Sequence, residues 1–196
     1  MAIVMDNFTE YNGWFDISYR ELLRGRYPTI RLALNLLFQQ DTYRIVETGS
    51  TCRFNDSGSG YSTFIFGDFI NHYGGHLTTI DIEPSVIEAC KVVTRRFEKN
   101  ITYVCENSLI ALRQLSEPID LLYLDSMDVP EGDATLCQEH NLKEFKAVEH
   151  LLHDKSLVLI DDNDMENGGK SRLTKAYLQE KGWRCVLDLC QTLWMK

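Results

Sequence analysis

Apolar residues recur along most of the chain at spacings typical of alternating helices and strands. After an N-terminal helical lead-in, the pattern predicts a helix over Pro28–Gln40, and short apolar runs then alternate with amphipathic stretches. The predicted strands are Tyr43–Glu47, His76–Asp81, Ile101–Cys105, Ile119–Leu124, Ser156–Ile160, Trp183–Leu189 and Gln191–Met195. The predicted helices between them are Ser62–Tyr73, Pro84–Asn100, Ser108–Leu115, Glu139–His153 and Lys170–Lys181.

This alternation predicts an α/β fold, a Rossmann-like, doubly wound and mostly parallel seven-stranded sheet with helices on both faces. Cys190 alone separates the last two predicted strands. A connection this short cannot hold a crossover helix, so these strands should form an antiparallel C-terminal hairpin. Because the pattern shows no linker or repeat, we interpret residues 1–196 as a single domain, with a helical lead-in over 1–42 and a core over 43–196.

The chain has 196 residues and a formal net charge of −9 at pH 7. Nucleic acids and anionic membranes attract basic proteins, so this charge disfavours both as partners. No run approaches the roughly 20 apolar residues of a membrane span, and the N-terminal residues lack the pattern of a secretory signal. We therefore expect a cytoplasmic protein, while its oligomeric state, a homodimer included, stays open.

Polar residues follow each core strand of the predicted sheet. The C-terminal ends of parallel strands meet at one edge, where ligands bind in doubly wound folds. The residues at these ends are Glu47, Gly49, Ser50, Asp81, Ile82, Asn107, Ser108, Asp125, Asp161 and Asp162. The sequence therefore predicts a binding site at this edge of the sheet.

A glycine-rich segment and an acid indicate the kind of ligand. Gly60 and Ser62 stand where the backbone can approach a ligand at a helix N-terminus, and Asp81 can accept both ribose hydroxyls of a nucleoside. An NAD-binding domain would also fit these features. However, the compact GxGxxG fingerprint is not satisfied, because Thr63 stands at the position of its last glycine.

The motifs Glu47-Thr48-Gly49, Gly60-Tyr61-Ser62-Thr63 and Leu77–Pro84 resemble those of class I S-adenosylmethionine-dependent methyltransferases. Leu77–Pro84 is similar to the second motif of the small metal-dependent O-methyltransferases, catechol O-methyltransferase among them. The resemblance implies S-adenosylmethionine as the cofactor of the 43–196 core, although residues 51–57 lengthen the family's first loop. The cofactor-binding residues it implies are Glu47, Gly49, Ser50, Gly60, Ser62, Asp81 (ribose), Ile82 (adenine face), Asn107 and Ser108 (adenine edge) and Asp125.

The runs Leu121–Ser126 and Leu157–Asp162 extend the resemblance. In metal-dependent members, an acid after the fourth strand and an acidic pair after the fifth bind a divalent cation. Asp125, Asp161 and Asp162 occupy those positions, and carboxylates suit Mg²⁺. Three crowded carboxylates would repel one another unless a cation neutralised them. The alternative is that these acids form turns and caps in a metal-independent enzyme.

Methyl transfer to a hydroxyl also needs a group that takes its proton. The lysine that serves catechol-type members is missing from Asp125-Ser126-Met127-Asp128, so His140 is the predicted base. Asp125 is the other predicted catalytic residue. A structural histidine is the alternative role. The sequence thus predicts methyl transfer to a hydroxyl of a small molecule, with residues 127–137 as a substrate loop. Other acceptors, or a partner-binding protein without catalysis, are the competing interpretations.

Overall fold

The computed structural model describes residues 8–51 and 61–196, so Gly60 and most of the lengthened loop lie outside the described residues. The α-helices are α1 (Phe8–Leu23), α2 (Tyr27–Phe38), α3 (Ser62–Tyr73), α4 (Pro84–Thr94), α5 (Ser108–Arg113), α6 (Thr135–Val148) and α7 (Arg172–Glu180). The strands are β1 (Arg44–Thr48), β2 (His76–Asp81), β3 (Ile101–Cys105), β4 (Ile119–Leu124), β5 (Leu152–Ile160), β6 (Arg184–Asp188) and β7 (Thr192–Met195). Short 3₁₀ helices cover Arg24–Arg26, Arg95–Asn100, Glu149–Leu151 and Glu166–Gly168.

The strands form one seven-stranded sheet in the order β3-β2-β1-β4-β5-β7-β6. The first five strands are parallel, and β7 pairs antiparallel with both β5 and β6. This arrangement confirms the predicted doubly wound sheet with its C-terminal hairpin. Because the order reverses between β1 and β4, the connections from these two strands diverge and leave a crevice at their C-terminal ends.

Apolar side chains form a hydrophobic core on each face of the sheet. One cluster joins the inner faces of α1, α2 and α3 to the sheet, and the other joins α5, α6 and α7 to its opposite face. All residues of β4 are buried, as expected for a central strand covered on both sides. Among the described residues, no helix combines the length and apolar character that a membrane crossing requires.

The N-terminal lead-in contributes directly to the core. Tyr11, Phe15 and Tyr19 stand four residues apart on α1, are almost fully buried, and therefore present one aromatic face. The ring of Tyr11 packs edge-on against Phe69 of α3, with 5.9 Å between the centroids. This contact fixes α1 on α3, which begins at the crevice.

The predicted helix Glu139–His153 is wrong at both ends. Helix α6 begins at Thr135, and its buried residues include Gln138, Asn141 and Glu144, whose polarity hides the helical period in the sequence. Strand β5 begins at Leu152 rather than at the predicted Ser156, so the predicted helix overlaps it. Local hydrogen bonds allow this early start, because the Ser156 hydroxyl accepts from the His153 amide (2.8 Å) and donates to the Ile119 carbonyl (2.6 Å).

Candidate active site

A cavity of about 720 Å³ opens in the crevice, a size typical of small-molecule sites. It gathers residues from the C-terminal ends of all five parallel strands and from α6. The predicted site residues among those that line it are Gly49, Ser50, Asp81, Ile82, Asn107, Ser108, Asp125, His140 and Asp162. Glu47, Ser62 and Asp161 are buried residues of the same region that do not appear in this lining.

Gly49 brings two strand ends into close contact beneath the cavity. Its φ of +84° is one that glycine adopts readily, and a Cβ there would lie 2.5 Å from the Asp125 carbonyl oxygen. The Gly49 amide donates to the Ile80 carbonyl over 2.9 Å. Glycine is therefore required at this position for β1 to approach the end of β4.

Asp81 ends β2 with a carboxylate held by backbone donors. The Ser50 amide donates to its Oδ2 (3.0 Å) and the Glu83 amide to its Oδ1 (2.9 Å). A carboxylate offers about four lone-pair positions, so capacity for two further donors remains. Ile82 follows with 60% of its surface exposed, which supplies an apolar wall beside this acceptor.

Asn107 and Ser108 end β3 and begin α5. The Asn107 side chain accepts from the Leu109 amide (3.0 Å), so it caps α5 and fixes the direction of this helix. The Ser108 hydroxyl lies 3.1 Å from the Nε2 atom of His140. The third strand end is thereby linked across the cavity to α6.

His140 is held against a buried carboxylate. Its Nε2 atom lies 3.2 Å from Oε1 of Glu144, one helical turn later in α6. Glu144 is fully buried and also accepts from the Ser126 hydroxyl (2.6 Å) and the Thr48 hydroxyl (3.3 Å). The sequence analysis missed Glu144, although the spacing of the two residues in a predicted helix carries that signal.

Glu47 connects the sheet to α3. Its Oε2 accepts from the Thr63 hydroxyl (2.7 Å) and the Thr79 hydroxyl (2.8 Å), while Oε1 has no hydrogen-bond partner among the described residues. Burial raises the pKa of Glu47 to about 7. Ser62, the first residue of α3, is buried beside it. This geometry positions the start of α3, and the cofactor contacts of Glu47 and Ser62 stay predictions.

The three acids predicted to bind a metal are paired with two cations of the chain. The ammonium of Lys170 lies 2.9 Å from Oδ1 of Asp125 and 3.0 Å from Oδ2 of Asp162. The guanidinium of Arg26 donates to Oδ2 of Asp161 over 2.7 Å. Burial opposes both charged side chains, but these ion pairs outweigh it, so the pKa of Lys170 is raised and that of Asp161 is lowered.

A tight loop places Lys170 behind the cavity. Gly169 has a φ of +54°, and a Cβ there would lie 1.7 Å from the Asp162 carbonyl oxygen, so the chain folds back closely on itself. The Lys170 amide then donates to that same carbonyl over 3.2 Å. Lys170 was predicted to begin a helix, but α7 begins only at Arg172. The consecutive glycines Gly168 and Gly169 were the available signal for this turn.

This arrangement does not fit a divalent cation at Asp125, Asp161 and Asp162. The ammonium of Lys170 lies between two of the three carboxylates, and the third is hydrogen-bonded to Arg26 and to the Tyr123 hydroxyl. Within residues 8–51 and 61–196, no group of three or more His, Cys, Asp or Glu residues is arranged to hold a metal ion. Two cations of the chain thus offset part of the negative charge that a metal was expected to neutralise, while burial and the neighbouring Asp161 still raise the pKa of Asp125.

Several solved structures share this fold. The SAH-bound methyltransferase PaMTH1 of Podospora anserina has a TM-score of 0.63 at 12% identity, over 97% of this chain and 87% of that one. The Bacillus cereus O-methyltransferase in complex with SAH has a TM-score of 0.55 at 14% identity, over 95% and 97%. The precorrin-6y C5,15-methyltransferase of Geobacter metallireducens has a TM-score of 0.56 at 15% identity, over 89% and 90%. At these identities the likeness is one of fold.

The sequence itself gives the family. A comparison with curated protein sequences finds no match. A family model described as a methyltransferase domain matches residues 57–163, more than half of the chain. Of the five strand ends that line the cavity, this segment contains all but that of β1. The chain therefore belongs to this methyltransferase-domain family.

Proposed function

We propose that this protein transfers the methyl group of S-adenosylmethionine to a hydroxyl of a small molecule. The observation that carries the proposal is one cavity that presents Asp81, with free acceptor capacity, and His140, paired with a buried carboxylate. Family membership supports methyl transfer, and the SAH complexes of PaMTH1 and the Bacillus cereus enzyme support the cofactor. The O-methyltransferase among these structures supports a hydroxyl acceptor.

The strand ends suit the parts of the cofactor in turn. Asp81 would accept the two ribose hydroxyls with the lone pairs that Ser50 and Glu83 leave free. Ile82 would pack on the adenine face, with Asn107 and Ser108 at its edge. The methionine end would then lie towards Gly49 and Asp125, where β1 and β4 meet. Gly60 lies outside the described residues, and its predicted contact is part of this proposal.

The cofactor supplies a methyl group that is already activated on a sulfonium. The protein must hold the acceptor oxygen in line with the departing sulfur and take its proton. With the N–H of Nε2 donated to Glu144, His140 keeps the lone pair of Nδ1 as the proton acceptor. The buried carboxylate would then stabilise the imidazolium that forms.

The remaining wall of the cavity defines where the acceptor would lie. Ser126, Met127, Asp128 and Arg26 line it on the side of His140. The proposed reaction uses no divalent cation, because the side chains predicted to bind a metal form ion pairs with Lys170 and Arg26. The acidity of the chain favours a small-molecule acceptor over a nucleic acid or an anionic membrane. A cytoplasmic location is part of the same proposal.

Calorimetry with Asp81→Ala tests the cofactor assignment. The substitution should remove two charge-assisted hydrogen bonds of about 1.5–3 kcal/mol each, and so weaken binding of S-adenosylmethionine at least tenfold. The matched control is Asp154→Ala, since the Asp154 side chain is 99% exposed and lies outside the cavity. Unchanged affinity in a folded Asp81→Ala protein, or a wild type that binds NAD instead, would refute the proposal.

Mass spectrometry of products tests the reaction. Wild-type protein is incubated with isotopically labelled S-adenosylmethionine and a panel of small hydroxyl, amine and carbon acceptors. We expect label on oxygen, and its loss in His140→Gln while cofactor affinity is retained. Label found on nitrogen or carbon would contradict the hydroxyl acceptor, and full activity in His140→Gln would contradict the role of His140.

A further inference from the structure

The acidic edge of the cavity is balanced by a lysine that solvent does not reach. Lys170 is fully buried, whereas the Asp125 and Asp162 side chains it contacts are 18% and 24% exposed. Its third polar neighbour is the Ser126 carbonyl oxygen, at 3.5 Å. An ammonium has three donors, so these neighbours account for all of them. Burying a charge so completely is costly unless it is paired, and here the pairing is complete.

The third acid has its own cation. The Asp161 side chain is 1% exposed and contacts Arg26, which the junction of α1 and α2 carries to this edge. The Tyr123 hydroxyl also donates to it, over 2.6 Å. The three carboxylates therefore lie beside two positive charges. Arg26 and Tyr123 offset the cost of burying Asp161, so this side chain does not need a metal ion.

The position of the ammonium is the one a divalent cation would need. Magnesium and calcium bind carboxylate oxygens at about 2.0–2.6 Å, so a cation shared by Asp125 and Asp162 would lie between them. The Lys170 nitrogen already lies between those oxygens, at 2.9 and 3.0 Å. A metal could enter only by displacing a like-charged group that the loop at Gly169 holds in place.

We propose that Lys170 is the resident cation of this site and takes the place of a divalent metal ion. Lys170 is a positioning residue. It contacts no ligand, because it is fully buried, but it holds Asp125 and Asp162 at the cavity wall. If Lys170 replaces the metal ion, a chelator should not inhibit methyl transfer. This consequence for catalysis rests on the proposed function. The absence of metal binding can be tested without any methyl transfer.

The test compares Mn²⁺ binding by the full wild-type chain and by Lys170→Ala. For the wild type, we expect no bound ion in Mn²⁺ electron paramagnetic resonance and the same melting temperature in Mn²⁺ as in EDTA. Lys170→Ala should melt lower and should gain a Mn²⁺ site, because the Asp125 and Asp162 carboxylates then flank a space that no cation of the chain fills. With Mn²⁺ at about 100 times its Kd, linkage should raise that variant's melting temperature by about 5–10 °C.

Two further variants make the result specific. Adding Asp162→Asn to Lys170→Ala should abolish both the Mn²⁺ binding and the rise in melting temperature that Lys170→Ala gains. Lys175→Ala is the matched control, because Lys175 pairs with Asp188 away from the cavity and should gain no effect. A wild type that binds one Mn²⁺, with stabilisation lost in Asp161→Ala, would overturn the proposal. So would a Lys170→Ala protein as stable as the wild type without Mn²⁺ binding.

If Lys170→Ala does not fold, Mn²⁺ binding by the wild type still tests whether the site takes a metal ion. Failure of the proposed function would show separately, as loss of S-adenosylmethionine binding in calorimetry, and would leave the Mn²⁺ result unchanged.

Discussion

At the scale of single residues, folding changes the charge state of Glu47 near neutral pH. Its pKa is about 7 in the folded protein, against 4.5 for an ordinary glutamate. The folded state therefore binds more protons than the unfolded state between these values, so this residue's contribution to stability falls as pH rises. The loss should amount to about 2 kcal/mol between pH 5.5 and 8.

Glu47→Gln removes this titration and isolates its effect. A glutamine can still accept from Thr63 and Thr79, so the fold should survive. Chemical denaturation of both proteins at pH 5.5 and pH 8 is the measurement, because other titrating groups cancel in the difference. We expect the variant to gain about 2 kcal/mol relative to the wild type at the higher pH. A pH-independent difference would show that Glu47 keeps an ordinary pKa.

Local patterns identify some site residues and miss others. Gly49 and Asp81 end strands that an apolar run marks clearly, so their place at the cavity follows from the sequence. Arg26 and Lys170 reach the same edge through a helix junction and a loop, and no periodicity reports where such segments fold back. The spacing of Glu144 from His140 places both on one helical face, but the sequence does not show that this acid is buried rather than solvated.

At the scale of elements, α1 is an integral layer of the core. Phe15 is 1% exposed, and its ring centroid lies 5.1 Å from that of Tyr19 and 6.1 Å from that of Tyr27. Phe15→Ala should therefore cost about 3–5 kcal/mol of unfolding free energy. The melting temperature should fall by about 2–4 °C for each kcal/mol at this chain length.

The control for this prediction lies two residues further along the same helix. Ile17 is 86% exposed, so Ile17→Ala should change the stability by no more than about 0.5 kcal/mol. Thermal unfolding followed by circular dichroism compares the two variants. Equal effects of the two substitutions would mean that α1 does not pack on the sheet as the structure shows.

Element boundaries could be predicted where apolar runs are bounded by turn residues. Ile119–Leu124 is such a run, and its predicted limits agree with β4. The predicted start of α6 was wrong because Gln138 and Asn141 are buried polar residues whose side chains bind partners remote in sequence. The Gln138 amide donates to the Gly169 carbonyl (2.9 Å), and the Thr174 hydroxyl donates to Asn141 (2.6 Å).

At the scale of the whole molecule, the two hydrophobic clusters share one sheet and should unfold together. Trp14 packs on the α1 side, whereas Trp183 and Trp194 lie in the cluster on the other face. In Trp14→Phe, tryptophan fluorescence reports only on the cluster that contains Trp183 and Trp194. In the double variant Trp183→Phe with Trp194→Phe, it reports only on the cluster on the α1 side. In each variant, we expect the fluorescence and far-ultraviolet circular dichroism transitions to coincide. Separated midpoints would mean that the chain has two folding units rather than a single domain.

The complete burial of Lys170 fixes how the cavity responds to the electrolyte around the protein. Dissolved ions screen exposed pairs such as Lys175–Asp188 over a Debye length of about 8 Å at physiological ionic strength, but they screen a buried pair much less. A site that takes its cation from solution changes its charge whenever the concentration of that ion changes. Here the positive charge beside Asp125 is part of the polypeptide, so the contribution of this pair to the field in the cavity changes little from dilute to concentrated salt.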